Sequence, residues 1–116
     1  MDPTQAHIQQ QIKQAIQGEQ TAYRFLLDTF WNTVYGFQLK RVSNEHDAED
    51  ITIETFAKAF DNITTYNTKY SFSTWLVSIS KNIQVDKFRK KNASIQTQNN
   101  AQSNAQAARI IDQTPS

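Results

Sequence analysis

A chain of 116 residues with 38% hydrophobic content, two glycines and two prolines can fill one small core and has few of the turn residues that an all-β meander needs. The absence of cysteine excludes disulfides and thiolate metal sites. No apolar run approaches membrane-spanning length, and Met1-Asp2-Pro3 lacks the basic-then-apolar start of a secretory signal, so a soluble, cytoplasmic protein with no membrane partner is expected. The expected fold is all-α: a compact bundle of three to four helices with a flexible C-terminal tail.

In chain order, Ile8, Ile12, Ala15 and Ile16 fall at helical spacing before Gly18. They predict a short, glutamine-rich first helix whose narrow stripe packs weakly. From about Gln20 to Val42, Tyr23, Leu26, Leu27, Phe30, Val34, Phe37 and the stem of Arg41 trace one face, widened by Trp31 and Tyr35. That predicts a long core helix. Ser43, Asn44 and Asp47 are candidate caps for a third helix over about Ala48 to Ile63, with Asp50 completing a capping-box-like pair with Asp47.

The two faces of the third helix differ in kind. Ala48, Ile51, Thr52, Thr55, Phe56, Ala59 and Ile63 are expected to face the core, while Asp47, Asp50, Glu54, Ala57 and Asp61 form the opposite stripe with Ile53 among them. Ile53 is open to two readings: a scattered surface apolar residue, or the centre of an acid-rimmed docking face.

The loop Thr64-Thr65-Tyr66-Asn67-Thr68-Lys69-Tyr70 sets two tyrosines beside a lysine, a composition suited to stacking unpaired bases and holding a phosphate. Ser71 is the expected N-cap of a fourth helix. Its core stripe is Phe72, Trp75, Leu76, Ile79, Ile83 and Phe88, and Ser78, Lys81, Asn82, Val85 and Arg89 lie on the neighbouring face. An asparagine such as Asn82 can pair with a base edge and a lysine can hold a phosphate, although a mid-helix asparagine is also an ordinary surface residue.

The formal net charge of +1 conceals a separation of sign. Glu45 to Glu54 carries five acids and no Lys or Arg, whereas Lys81, Lys87, Arg89, Lys90 and Lys91 face one acid, Asp86, in the same stretch. Two partners of opposite sign, or two solvated helix faces, would each account for this. Residues 92–104 are nearly all Asn, Gln, Ser, Ala and Thr, a composition that buries too little apolar area to offset its ordering entropy. A linker is expected there, with a short helical turn over Ala105–Ile111. The expected organisation is thus a short N-terminal helix over 1–17, a helical domain over 18–92, and a polar linker or tail over 93–116.

The run Asp47-Ala48-Glu49-Asp50-Ile51-Thr52-Ile53-Glu54-Thr55-Phe56-Ala57-Lys58-Ala59-Phe60, then Tyr66, then Phe72-Ser73-Thr74-Trp75-Leu76, then Asn82, Asp86 and Lys87-Phe88-Arg89-Lys90-Lys91, resembles region 2 of bacterial sigma factors, above all the extracytoplasmic-function (ECF) group. The resemblance spans about Gly18 to Lys91. It implies a transcription initiation factor domain that binds core RNA polymerase and recognises and melts the promoter minus-ten element. Asp47, Asp50, Ile53, Glu54 and Ala57 would dock on the β′ clamp helices. Tyr66, Asn67, Thr68, Lys69 and Tyr70 would capture a base flipped from the non-template strand. Lys81 and Asn82 would approach the upstream edge of the element. With Ser78, Lys87, Arg89 and Lys90 these make up the expected DNA-binding set, and an anti-sigma factor is a further implied partner.

Three departures from the family pattern stand out: Ile53 in place of a common glutamine, Ser73 in place of a frequent basic residue, and Thr68 in place of a frequent loop glycine. The helix-turn-helix that reads the minus-thirty-five element in such factors has no counterpart, so a fragment or a lone region 2 protein is expected. Two other classes remain. One is a helical adaptor that binds protein without recognising DNA. The other is a helical-bundle enzyme with His46 and Asp50 as its best metal pair, which lacks further clustered histidines for a ligand shell. No enzyme activity, cofactor or metal is expected, and salt-sensitive DNA binding separates the sigma reading from the adaptor.

Overall fold

The computed structural model describes residues 4–99, which form four helices and, among the described residues, no strand. The helices are α1 (Gln5–Ile16), α2 (Gln20–Val42), α3 (Glu45–Asp61) and α4 (Phe72–Asn99), with a 3-10 turn at Ile63–Thr65 before the last. The all-α expectation holds. The chain divides into two compact units, one ending at Ser80 and the other beginning at Lys81.

The first unit is organised around α2. Leu26 and Val34 are fully buried, with Tyr23, Leu27, Phe30 and Trp31 packed partly buried against the same core. Trp31 stacks on Phe56 of α3 with ring centroids 6.2 Å apart, and Tyr23 meets Phe60 at 4.7 Å. The first turns of α4 join through Phe72, whose ring lies 5.3 Å from that of Phe30. Burying a leucine- or phenylalanine-sized side chain contributes about 1.5–3 kcal/mol, so this interlocked set supplies most of the cohesion.

The first helix is more deeply set than its sparse stripe predicts. Ile12 and Ala15 are buried, Ile8 nearly so, and all three belong to the main core together with Ala22 of α2. Two alanines at zero exposure, one on each helix, let the backbones approach closely. The turn between them is a Schellman motif: Glu19 N–H donates to Gln14 O at 3.0 Å and Gly18 N–H to Ala15 O at 2.9 Å, with Gly18 at φ 94°.

The stop of α2 uses the same left-handed conformation with a less suitable residue. Ser43 sits at φ 54° and donates its N–H to Leu39 O at 3.0 Å. Gly18→Ala should cost about 1 kcal/mol and Ser43→Gly should gain about 0.5–1 kcal/mol. No atom lies within 4 Å of the Cβ that Gly18→Ala would add, so the whole effect is conformational. Thermal denaturation checks both, since 1 kcal/mol moves the midpoint of a domain this size by roughly 4–8 °C.

The third helix begins three residues earlier than its pattern indicates. Asn44 is the cap: its Oδ1 accepts from Asp47 N–H at 3.0 Å. The Asp47–Asp50 box is therefore not what starts the helix, and both carboxylates lie inside it. The expected core face is as read, with Ala48, Ile51, Thr52, Thr55, Phe56, Ala59 and Ile63 all buried. The two threonines are tolerated because their hydroxyls donate to Ala48 O and Ile51 O, each at 2.7 Å.

In the second unit α4 runs on to Asn99, through residues 92–99 where a linker was expected. The reason is local: this stretch contains no glycine or proline, and adding residues to an existing helix is far easier than nucleating one. The helical turn expected over Ala105–Ile111 lies outside the described residues. No described helix is long and apolar enough to cross a membrane.

Candidate nucleic-acid interface

The segment from α3 to α4 holds its shape through its own polar groups. Asn62 closes α3, its Nδ2 donating to Lys58 O at 2.9 Å, and Thr65 Oγ1 donates to Asn62 O at 2.6 Å. Ile63, buried, anchors the 3-10 turn in the core. A tight turn follows, in which Tyr70 N–H donates to Asn67 O at 3.1 Å and Asn67 Oδ1 accepts from Lys69 N–H at 2.9 Å. This Asx turn fixes the orientation of the Asn67 amide, because the oxygen must face Lys69. Ser71 then caps α4 as expected, its Oγ accepting from Thr74 N–H at 3.1 Å.

Tyr66 fastens the loop to the bundle. Its ring meets Phe72 at 5.3 Å and Trp75 at 5.2 Å, and its hydroxyl donates to the carbonyl of Tyr70. Half-buried and turned inward, it supports the loop. Thr68 and Lys69 occupy the exposed tip. Among the described residues only Gly18 and Ser43 have positive φ, so Thr68 takes ordinary backbone and this loop needs no glycine there.

Between loop and helix lies a pocket of about 270 Å³, lined by Thr65, Asn67, Tyr70, Thr74, Trp75 and Ser78. From the expected DNA-binding set it brings together Asn67, Tyr70 and Ser78; Tyr66, Thr68, Lys69 and the basic residues beyond Ser80 are not among its lining. Tyr70, 60% exposed, and Trp75 give it two aromatic walls. Asn67 Nδ2 makes no hydrogen bond among the described residues, and Thr74 Oγ1, which accepts from Ser71 Oγ at 2.8 Å, keeps its own proton. The pocket therefore offers π-faces and a few donors, the mixture that holds a heteroaromatic ring.

Three lining residues, Thr65, Thr74 and Trp75, lie outside the expected DNA-binding set. Trp75 was assigned to the core, which it also joins. Thr74 lies one turn before Ser78 on the same helical face, a signal that was available. Thr65 belongs to the loop whose composition suits base stacking, but its place in the lining is set by its bonds to Asn62 O.

The second unit carries Lys81, Asn82 and Lys90 exposed and Lys87 and Arg89 half-buried along α4. Arg89 Nε is buried without a hydrogen-bond partner.

On α3 the outward stripe is as expected: Ile53 is 51% exposed, Glu54 and Ala57 are exposed, and Asp47 and Asp50 are partly so. His46 Nε2 approaches Asp50 Oδ2 at 3.6 Å. Among the described residues no group of three or more His, Cys, Asp or Glu side chains could hold a metal ion, so the pair has no ligand shell around it.

Residues 26–94 match the family model described as Sigma-70 region 2. The chain is 37% identical over 84 residues to the ECF RNA polymerase sigma factor SigW of Bacillus subtilis, an alignment covering 72% of this chain and 45% of that protein. It is 35% identical over 89 residues to the ECF RNA polymerase sigma factor BldN of Streptomyces coelicolor, covering 76% and 34%. A third relative, the ECF RNA polymerase sigma factor SigX of Bacillus subtilis, is 29% identical over 69 residues, covering 60% and 36%. The chain thus spans less than half the length of each. Because the family match extends over more than half of the chain and runs from the second turn of α2 through the acidic helix, loop and Trp helix, the chain belongs to the sigma-70 region 2 family, as a region 2 domain of the ECF group.

Proposed function

We propose that this domain acts in transcription initiation by docking on core RNA polymerase through the Ile53 face of α3 and by taking one base, flipped from the non-template strand of the minus-ten element, into the pocket under the loop. The pocket carries this reading. At about 270 Å³ it falls just below the ~300–1,000 Å³ of ordinary small-molecule sites, a size that suits a single ring system better than a stretch of chain. The relatives' names, ECF RNA polymerase sigma factors, support the choice of partner.

The energetics are consistent with capture rather than with melting by this site alone. Unstacking a base costs a few kcal/mol, and one aromatic contact returns about 1–3 kcal/mol. A hydrogen bond from Asn67 Nδ2 or Thr74 adds about 0.5–1.5 kcal/mol. Capture therefore roughly balances unstacking, and the remaining affinity comes from phosphate contacts, for which Lys81, Lys87, Arg89 and Lys90 are the candidates. Pocket residues should then set base preference and basic residues should set affinity. A protein-only adaptor has no use for such a pocket.

The test is binding of the domain and its variants to single-stranded minus-ten DNA with every base at each position. Asn67→Asp keeps the acceptor that Lys69 N–H requires and removes the donor, so the loop survives while the pocket edge changes. It should alter preference at one position. Lys69→Ala, at the loop tip, and Lys90→Ala should weaken all strands alike. Uniform weakening by all three, with no altered preference, would leave the loop as a nonspecific backbone contact and end the base-capture reading.

A further inference from the structure

Gln38 and Ser80, on α2 and α4, are both fully buried. Gln38 Nε2 donates to Ser80 Oγ at 2.9 Å, and Ser80 Oγ donates its only proton to Val77 O at 2.8 Å. The amide nitrogen must therefore face the serine, and Gln38 Oε1 is left buried with no hydrogen-bond partner. An apolar side chain of the same volume would fill this place without an orphaned oxygen. What the amide supplies in exchange is direction: a hydrogen bond constrains distance and angle, whereas apolar surfaces slide over one another.

The direction matters because of what α4 presents just before Ser80. Ser78 is two residues earlier and Trp75 and Thr74 are five and six earlier, and these three form the helical wall of the pocket. Each residue along a helix turns about 100° and rises about 1.5 Å, so a small rotation or slip of α4 would redirect all three against the loop wall of Thr65, Asn67 and Tyr70. We infer that Gln38 is a positioning residue for base selection, holding α4 in the register that shapes the pocket through its bond to Ser80. This rests on the base-capture reading above, and deepens it by assigning a specificity role to a residue that touches no nucleotide.

Gln38→Met combined with Ser80→Ala tests it, since the pair removes the bond and leaves neither partner's polar group unpaired, so the fold should survive. Two measurements are made on the whole chain. Discrimination between bases at the captured position, read on single-stranded minus-ten DNA, should fall to within about twofold of none, while affinity for the disfavoured bases stays unchanged. In a Trp31→Phe background, where Trp75 is the only tryptophan, acrylamide quenching in the absence of DNA should rise about twofold as the helical wall loosens. A loss of stability alone would move neither reading well below the melting temperature. Unchanged discrimination with unchanged quenching overturns the inference. If the parent domain shows no preference for any base, the capture reading falls by itself; raised quenching in the variant then still upholds Gln38 as the residue that sets the register, and unchanged quenching overturns that too.

Discussion

Ile53→Glu is expected to reduce binding of this domain to the β′ clamp helices of RNA polymerase by roughly 30-fold or more, the loss of a central hot-spot residue worth about 2 kcal/mol. Ile53 is 51% exposed in the middle of a carboxylate stripe, where the half of its surface left open is what a partner would cover. A carboxylate there must be desolvated on docking and adds a sixth acid to a short stretch. The companion experiment is Asp50→Lys with Glu54→Lys, which reverses the rim. Both positions lie beyond the first turn of α3, so the favourable charges of Glu45 and Asp47 at its N-terminus are untouched. The exposed His46–Asp50 contact and the contact that exposed Glu54 makes are each worth at most a few tenths of a kcal/mol to the helix. Circular dichroism should therefore be unchanged while pull-down of the clamp helices fails. Docking that survives both sets of changes removes polymerase binding from this face.

The sequence revealed most where a residue's role depends on its own neighbours along the chain. α2 was read with its observed bounds, Gln20 to Val42, because Gly18 precedes it and Ser43-Asn44 ends the apolar pattern. The inner face of α3 was read residue for residue because period alone decides it. Where burial depends on what lies opposite, the pattern was a poorer guide. Ile8, Ile12 and Ala15 make a modest stripe, yet α2 offers Ala22 and the ring of Phe25, against which His7 packs edge-on at 4.9 Å. α1 is consequently part of the core.

Gln38 was the least legible residue. It lies on a helix whose apolar face was drawn without it, and its partner is 42 positions away, beyond any local pattern. At residues 92–99 the composition argues against a core but says nothing about local helical propensity, and with neither glycine nor proline to stop it the helix continues. For the site, the loop composition drew attention to the tyrosines but could not say that one faces inward and the other outward. That distinction comes from which ring finds Phe72 and Trp75 to pack on.

Tyr70→Ala should therefore weaken binding to single-stranded minus-ten DNA about 5- to 150-fold, the equivalent of one lost base–aromatic stack of about 1–3 kcal/mol. Its ring is 60% exposed and its contribution to the loop runs through backbone atoms, N–H to Asn67 O and carbonyl to the Tyr66 hydroxyl, which alanine retains. Thermal stability should accordingly stay within about 0.5 kcal/mol of the parent. Tyr70→Phe should bind nearly as the parent does, because the π-face persists. Tyr66 should behave in the opposite sense. Tyr66→Phe keeps the ring against Phe72 and Trp75 and removes only the hydroxyl's bond to Tyr70, so about 0.5–1.5 kcal/mol of loop closure is lost. Base discrimination should narrow while affinity for disfavoured strands holds. Tyr66→Ala, by opening a cavity beside Trp75, should lower the melting temperature far more than Tyr70→Ala does. Quenching of Trp75 fluorescence on adding DNA, followed in the Trp31→Phe background, provides an independent signal that the base enters the pocket. If Tyr70→Ala binds as the parent does and the Trp75 signal persists, the ring is no stacking platform, and the pocket holds its base by Trp75 and the polar edge alone.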